Sequence, residues 1–395
     1  AQTNARLGRN LSSFVEWMDI DRAIDHFRTA QTALSGRDTA SLGYTYVGLA
    51  GAALWGIRTA EGLEAAQRAM DLAEKIERQV LWANAAALAG WHTWATGRPS
   101  EGQELLERAY EVADSLDNGA AAFFAVWMRS GTSMMMGDPA DSLVWLEREL
   151  PQPRLAQAPN LRAQLLFGLA QAGHFVGRHD DRRRWLEELG DDEYILGRAV
   201  SARMRGDFDE ARTLHEAGIA DAKARGNMFF LGTHLMESSY DLLLQYDLER
   251  AIDALRQAAA VVDEHVPWRS YVDLSMATGL ALLGRAAEAR ATLEQAHAID
   301  TTEWRGRPAV KRSAEAVILA AEGRRDEGEE LLDRSLEETR RLGAKWYTAT
   351  SLLTWARAAR SRERYDEYVE LMREMGFGPR FVDMIAAEAA RVTGS

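Results

Sequence analysis

The 395-residue chain contains no cysteine. This absence excludes disulfide frameworks, thiolate nucleophiles and cysteine-ligated zinc sites, although it does not by itself define a redox compartment. Long apolar runs are also missing, since no stretch approaches the roughly 20 residues that a membrane-spanning helix needs. The first residues, AQTNARLGRNLSSF, contain no hydrophobic core of the kind found in a signal peptide. We expect a cytoplasmic protein that does not contact a membrane.

Positive charge is scarce. The chain has 47 lysines and arginines against 60 aspartates and glutamates, which gives a net charge of -13 and an isoelectric point near 5.2. Nucleic-acid binding requires a basic surface, because contacts to the phosphate backbone dominate the affinity. We therefore expect no direct nucleic-acid partner.

A repeat of about 40 residues is what the chain does contain. Small residues recur at Ala50, Gly90, Ser130 and Ala170, and seven positions after the last three stand Gly97, Gly137 and Gly177. The pairs continue as Ala199 with Gly206, Ser239 with Tyr246, Ala277 with Gly284, Ala316 with Gly323 and Ala356 with Glu363. Repeat periods of this length are typical of stacked two-helix units.

Each recurring position has a physical explanation. A small residue lets the two helices of a hairpin approach closely, and a glycine just past a helix end adopts the left-handed conformation that terminates the helix. The second helix has its own recurring apolar positions at Ala211, Ala251 and Ala289, and at Leu106, Leu255, Leu293 and Leu332. One hairpin cannot bury both of its apolar faces, so hairpins must stack. The pattern predicts an all-α fold, a right-handed α-solenoid of about ten helix-turn-helix repeats that spans residues 1–395.

Two places depart from the period. Residues 151–160, PQPRLAQAPN, contain three of the eight prolines and are the best candidate for a seam. The interval between Gly177 and Gly206 is only 29 residues, which predicts a short, irregular repeat over residues 178–206.

The repeat also predicts which residues line the concave groove. In tetratricopeptide-like arrays the first helix of each hairpin faces the groove, and counting back from each turn yields a set rich in aromatic and methionine side chains. The predicted ligand-binding residues are Trp55, Trp91, Trp94, Phe124, Trp127, Met134, Met135, Phe167, Gln171, His174 and Phe175. Matching positions of later hairpins are plainer, namely Val200, Arg203, Leu243, Thr278, Ala281, Val317 and Ala320.

An apolar groove with a few polar groups is suited to a small ligand or an inserted peptide. Gln171 and His174 would be its polar anchors. The alternative is that these aromatic residues only pack neighbouring hairpins together, and that His174 is a hydrogen-bonded structural histidine.

No motif indicates catalysis, a metal or a cofactor. The run HFVGRHDD has possible metal ligands, but its histidines lie on either side of a predicted turn and no HExxH motif or cysteine accompanies them. No nucleophile has an evident partner base. We expect neither catalytic residues nor a cofactor.

Turn-and-helix segments such as GDFDEARTLHEAGIADAKARG and GRRDEGEELLDRSLEETRRLGA resemble the tetratricopeptide-like arrays of large ATP-binding bacterial regulators. These include LuxR-type activators, the maltotriose-responsive activator, and some multidomain nucleotide cyclases and kinases. Gly90 is a close match to the family glycine, although the period here is nearer 40 than 34. The resemblance implies a sensor or scaffold arm that binds an effector or partner and restrains an output domain.

The resulting hypothesis is a non-catalytic binding module whose groove, between the second and fifth hairpins, takes a small apolar or aromatic effector. A protein-interaction scaffold that takes a peptide or partner helix in the same groove is the alternative. An enzyme built on a helical array is the least favoured possibility.

Overall fold

The computed structural model describes residues 19–156, 158–190, 195–298 and 303–394. Within these ranges the protein consists of 21 α-helices and has no β-strand, so the all-α prediction is confirmed. The first ten helices are α1 (Ile20–Leu34), α2 (Ala40–Trp55), α3 (Thr59–Lys75), α4 (Gln79–Ala95), α5 (Pro99–Ser115), α6 (Gly119–Met135), α7 (Pro139–Glu149), α8 (Pro153–Ala156), α9 (Pro159–Val176) and α10 (His179–Leu189).

The remaining helices are α11 (Ile195–Arg205), α12 (Phe208–Arg225), α13 (Met228–Leu244), α14 (Leu248–Val261), α15 (Val266–Leu282), α16 (Ala286–His297), α17 (Arg307–Ala321), α18 (Arg325–Arg341), α19 (Lys345–Ala359), α20 (Arg362–Glu374) and α21 (Pro379–Thr393). None of the described helices is both long enough and apolar enough to cross a bilayer.

Nine complete hairpins lie in the described part of the chain. Their first helices are α2, α4, α6, α9, α11, α13, α15, α17 and α19, and each packs on the second helix that follows it. Consecutive hairpins stack on one another, as the contacts of α4 with α6 and of α15 with α17 show. The arrangement is an α-solenoid, as the repeat predicts.

Most predicted turn residues adopt the left-handed backbone conformation that ends a helix. Glycines at positions 97, 137, 177, 206, 284 and 323 all have φ between 75° and 91°, and Tyr246 replaces glycine in the same role with φ of 61°. The last hairpin differs. Its left-handed residue is Arg360, with φ of 51°, whereas Glu363 lies inside α20. The prediction that Glu363 marks this turn is wrong, because α19 ends at Ala359 and the turn therefore comes three residues earlier.

Small residues allow the close helix contacts that the period implied. A Cβ atom added to Gly90 would lie 2.8 Å from the carbonyl oxygen of Gly102, so α4 and α5 touch through their backbones. In the next hairpin the hydroxyls of Ser130 and Ser142 lie 2.6 Å apart and join α6 to α7.

The two helices of a hairpin are buried differently. In α4 every residue from Leu81 to Ala95 except Asn84 is buried, whereas α5 buries one face at three- and four-residue spacing. First helices therefore form an inner layer that is covered on both sides, and second helices form an outer layer with one side in water.

The irregular places contain short helices. The segment 151–160 includes α8, which has four residues, and α10 and α11 on either side of residue 190 have eleven residues each. That the chain forms a single array with a seam at residues 151–160 and a short, irregular repeat over residues 178–206 stays a prediction.

Inner helices of the first half of the array, α2 to α10, pack directly on inner helices of the second half, α13 to α20. The contacting pairs are α2 with α13, α4 with α15 and α9 with α19. Ring centroids of Trp55 and Phe229 are 5.6 Å apart, and those of Phe175 and Tyr347 are also 5.6 Å apart. The groove between the halves is therefore closed by direct contact over much of its length.

A backbone contact between two glycines joins the halves near the middle. The amide of Gly306 donates a hydrogen bond to the carbonyl of Met136 at 3.0 Å, and Arg305 forms an ion pair with Asp138 at 2.8 Å. A Cβ atom on Gly306 would lie 2.3 Å from the carbonyl oxygen of Gly137. Since this neighbour is backbone, it cannot move aside as a flexible side chain would.

We predict that Gly306→Ala lowers the free energy of unfolding by about 1–3 kcal/mol, because the added methyl group overlaps a main-chain oxygen. The matched control is Gly51→Ala. Gly51 lies inside α2 with no atom within 4 Å of an added Cβ. Because alanine has the higher helix propensity, this change should raise the free energy of unfolding by about 0.5–1 kcal/mol. Urea unfolding of both variants measures the difference. Equal stability of the two variants would contradict the proposed contact.

Candidate functional site: a cavity between the two halves

A cavity of about 240 Å³ lies where the inner helices of the two halves meet. We call it the central cavity. Its walls consist of Leu54, Trp55, Trp91, Trp127, Met128, Ser130, Gly131, Met134, Met135, Phe167, Gly168, Gln171, Phe175, Leu196, Phe229, Phe230, Thr233, Met236, Glu237, Tyr240, Trp268, Tyr271, Arg307 and Tyr347. Aromatic and methionine side chains dominate the surface, as in most small-molecule sites.

The first-half wall follows from helical spacing. On α6, residues Trp127, Gly131, Met134 and Met135 follow one another at intervals of four, three and one positions, which places them on one face. On α9 the lining residues from Phe167 to Phe175 have a similar spacing.

Two glycines make room for indole rings in this wall. A Cβ atom on Gly131 would lie 3.1 Å from the ring of Trp91, and one on Gly168 would lie 3.0 Å from the ring of Trp127. The indoles therefore lie close against bare helix backbone.

The second-half wall combines the beginnings of several inner helices with one face of α13, which also contributes Thr233, Met236, Glu237 and Tyr240. Phe229 and Phe230 lie in the first turn of α13, Trp268 in the first turn of α15, and Tyr347 in the first turn of α19. The first residue of α17, Arg307, completes this wall.

Ring contacts cross from one wall to the other. The ring of Trp55 stacks on that of Phe230 with a centroid distance of 5.9 Å, and the rings of Trp91 and Phe229 are 6.1 Å apart. Such contacts contribute about 0.5–1.5 kcal/mol each beyond their buried area. The aromatic lining therefore also holds the two halves together.

Arg307 is the most unusual polar group of the cavity. It is 3% exposed, and its Nη2 donates to the carbonyl of Met135 at 2.6 Å and to that of Pro267 at 3.3 Å. Its guanidinium lies over the ring of Tyr271 at 4.7 Å. Burial lowers the pKa of Arg307 to about 10, so the side chain still carries its charge at neutral pH.

An ion cluster lies beside the cavity. The carboxylate of Glu237 accepts a hydrogen bond from Arg203 at 2.6 Å, and Arg203 also pairs with Asp241. Burial would raise the pKa of Asp241, but the charge of Arg203 outweighs it and holds this pKa below the ordinary value. Glu237 is thus paired with Arg203, which it shares with Asp241.

Eight of the eleven predicted groove residues line the central cavity: Trp55, Trp91, Trp127, Met134, Met135, Phe167, Gln171 and Phe175. Whether they bind a ligand stays a prediction. The structure places the other three, Trp94, Phe124 and His174, outside the cavity walls. Trp94 is completely buried against Trp91 and His265, and Phe124 is a half-buried ring packed on the first-half core.

His174 does not serve as a polar anchor of the cavity. It is 4% exposed among the rings of Phe175, Trp346 and Phe377, and neither of its ring nitrogens has a hydrogen-bond partner in the described residues. Burial, together with the charges of Arg182 and Arg203, lowers the pKa of His174. It is a packed core histidine, and the alternative of a hydrogen-bonded one is not what the structure shows.

The sequence analysis missed the second-half wall. It compared positions near the ends of the inner helices, where the second half is plain. The lining residues of α15, α17 and α19 instead lie near the beginnings of these helices, and those of α13 extend from Phe229 to Tyr240. A signal was present in the sequence. Aromatic pairs stand at residues 229–230 and 346–347, each in the first turn of an inner helix. Two further aromatic residues, Trp268 and Tyr271, lie near the start of α15.

No known protein-family model matches this chain, and no curated protein sequence matches it either. Solved structures do resemble it. The APC/C hetero-tetramer Cut9-Hcn1 matches over 99% of this chain and 81% of its own, with 11% identity and a TM-score of 0.51. A Rap protein complexed with Competence and Sporulation Factor has 15% identity, coverage of 99% and 98%, and a TM-score of 0.44. The human IFIT1 dimer with m7Gppp-AAAA has 14% identity, coverage of 99% and 100%, and a TM-score of 0.41.

At these identities the likeness shows the fold alone. The neighbours are tetratricopeptide-like helical repeat proteins, and the Cut9 match supports the α-solenoid architecture of this chain. The resemblance to LuxR-type and cyclase regulators stays a proposal.

Buried histidines support the aromatic walls from behind. His265 is 2% exposed, contacts Trp91, Trp94 and Trp268, and its Nδ1 caps α15 by accepting a hydrogen bond from the amide of Trp268 at 3.4 Å. Burial lowers the pKa of His265 to about 3. In the unfolded chain this histidine gains a proton near pH 6.5, whereas in the folded protein it stays neutral down to about pH 3.

Stability should therefore fall as the pH drops from about 6.5 towards 3, because the unfolded state binds a proton that the folded state rejects. We predict that His265→Asn, which keeps an acceptor at the helix N-cap but cannot be protonated, reduces this pH dependence by up to about 1.4 kcal/mol per pH unit. Urea unfolding between about pH 6 and pH 4.5 measures both slopes. Identical slopes in the wild type and the variant would show that His265 is not held neutral.

Proposed function

We propose that this chain is a non-catalytic regulatory binding module whose central cavity takes a small, predominantly aromatic molecule. The observation that carries the proposal is the convergence of aromatic and methionine side chains from seven inner helices on one cavity of about 240 Å³. Aromatic walls of this kind supply a large contact area at low cost in side-chain entropy.

The size of the cavity favours a small molecule over a helix. An α-helix with its side chains has a diameter of about 10–12 Å. The rings of the two walls instead meet at centroid distances of 5.6–6.1 Å, for example between Trp55 and Phe229 and between Phe175 and Tyr347. A partner helix would have to separate the halves, whereas a compound of one or two rings fits between them. A peptide or partner-protein scaffold is therefore the second candidate.

A ligand in this cavity would contact both halves of the array. Its binding can change the relative position of the halves only when its affinity differs between two arrangements. Contacts to α6 and α13 at once satisfy this condition, because moving one half removes part of the binding surface. This supports a sensor role of the kind that the resemblance to ATP-binding regulators implies.

We predict that an aromatic compound from a panel of metabolites raises the melting temperature and changes the tryptophan emission. Trp127→Ala should weaken its binding at least tenfold, because the indole lines the cavity. Trp145→Ala is the matched control, since Trp145 is half-buried on the outer helix α7 and lies outside the cavity walls. Calorimetric titration of each variant measures the affinities.

Two results would contradict the proposal. Equal loss of affinity in both tryptophan variants would show that the effect is general and does not arise in the cavity. Failure of the whole panel to bind, together with binding of a defined peptide or partner protein, would favour the scaffold function.

A further inference from the structure

Arg307 differs from the three other arginines in the described part of the chain that are at most 4% exposed. Arg129, Arg203 and Arg357 are each at most 4% exposed, and each forms a salt bridge with a carboxylate. Among the described residues no carboxylate forms a salt bridge with Arg307, and its Nε has no hydrogen-bond partner. Its neighbours are two carbonyl oxygens and the rings of Tyr271 and Trp304.

A buried cation without a counter-ion is costly, because neither water nor an opposite charge compensates it. Main-chain carbonyls and aromatic faces compensate a guanidinium only in part. The side chain stands in the wall of the cavity at the first residue of α17, where the positive end of the helix dipole adds to the same potential. The carboxylate in the cavity wall, Glu237, forms its salt bridge with Arg203, which it shares with Asp241, and not with Arg307.

We propose that the ligand of the central cavity is an aromatic carboxylate whose anionic group pairs with Arg307 while its ring lies between the two aromatic walls. This inference rests on the proposed function and specifies the chemical class of the ligand. A guanidinium offers parallel N–H donors that match the two oxygens of a carboxylate, which makes it a suitable partner for such a group. The hydroxyls of Tyr240 and Tyr347 stand in the same wall.

Arg307 also ties the halves together through its bonds to Met135 and Pro267, so the test must separate recognition from folding. A suitable pair of probes is 2-naphthoate and 2-naphthamide, which have nearly the same shape and differ in charge. Calorimetric titration should show that the wild-type protein binds naphthoate at least tenfold more tightly than the amide. Tenfold corresponds to about 1.4 kcal/mol.

In Arg307→Gln, which can still donate to a main-chain carbonyl, this ratio should fall to about one while the affinity for naphthamide is retained. Arg307→Lys keeps the charge without the paired donors, so its ratio should fall but stay above one. Melting curves identify any variant that does not fold. If Arg307→Gln does not fold, the test rests on the ratio of the naphthoate and naphthamide affinities in the wild-type protein and in Arg307→Lys.

Equal binding of both probes to the wild-type protein would overturn this inference and leave the proposed function in place. An equal loss of both affinities in Arg307→Gln would likewise overturn it, because Arg307 would then act only on the structure. Failure of both probes to bind the wild-type protein would overturn the inference together with an aromatic-ligand function.

Discussion

The inner helices of this array are apolar on nearly all sides, and the need to cover them from both directions governs the rest of the structure. In α4 only Asn84 escapes burial between Leu81 and Ala95. Its neighbours in the array cover part of that surface, and inner helices from the other half cover the remainder. Closure of the groove is thus a consequence of hydrophobic burial, and the central cavity is the space that imperfect packing of large rings leaves between the walls.

The short segment before α17 connects closure with the cavity. Gly306 meets Gly137 through backbone atoms, and the adjacent Arg307 reaches into the cavity wall and bonds to carbonyls of two other helices. One residue therefore touches the interface between the halves and the space that a ligand would fill. Any group that pairs with the guanidinium acts directly on the contact that holds the halves in register. This is a physical route from occupancy of the cavity to the shape of the array.

Prediction from the sequence succeeded where the relevant interactions are local. The lining residues of α6 could be placed because helical spacing from Gly137 defines the face of their helix. It failed where a local difference in helix length shifted the register, as at Arg360, and where an aromatic position depends on a distant neighbour. His174 is a polar residue at the distance from its turn that the repeat predicts for a groove residue, yet the rings of Trp346 and Phe377 surround it. Nothing within one repeat identifies those neighbours.

The sequence by itself determined the repeat, the hairpins, the turn positions and the apolar face that the first half presents to the groove. These features depend on contacts within one hairpin, where spacing along the chain corresponds to position on a helix. Only the tertiary structure decided that the ends of the early inner helices meet the beginnings of the late ones, and that Arg307 lies uncompensated between them. The pairing of early with late inner helices depends on small rotations between hairpins that add up over about five successive hairpins, and no single repeat specifies their sum.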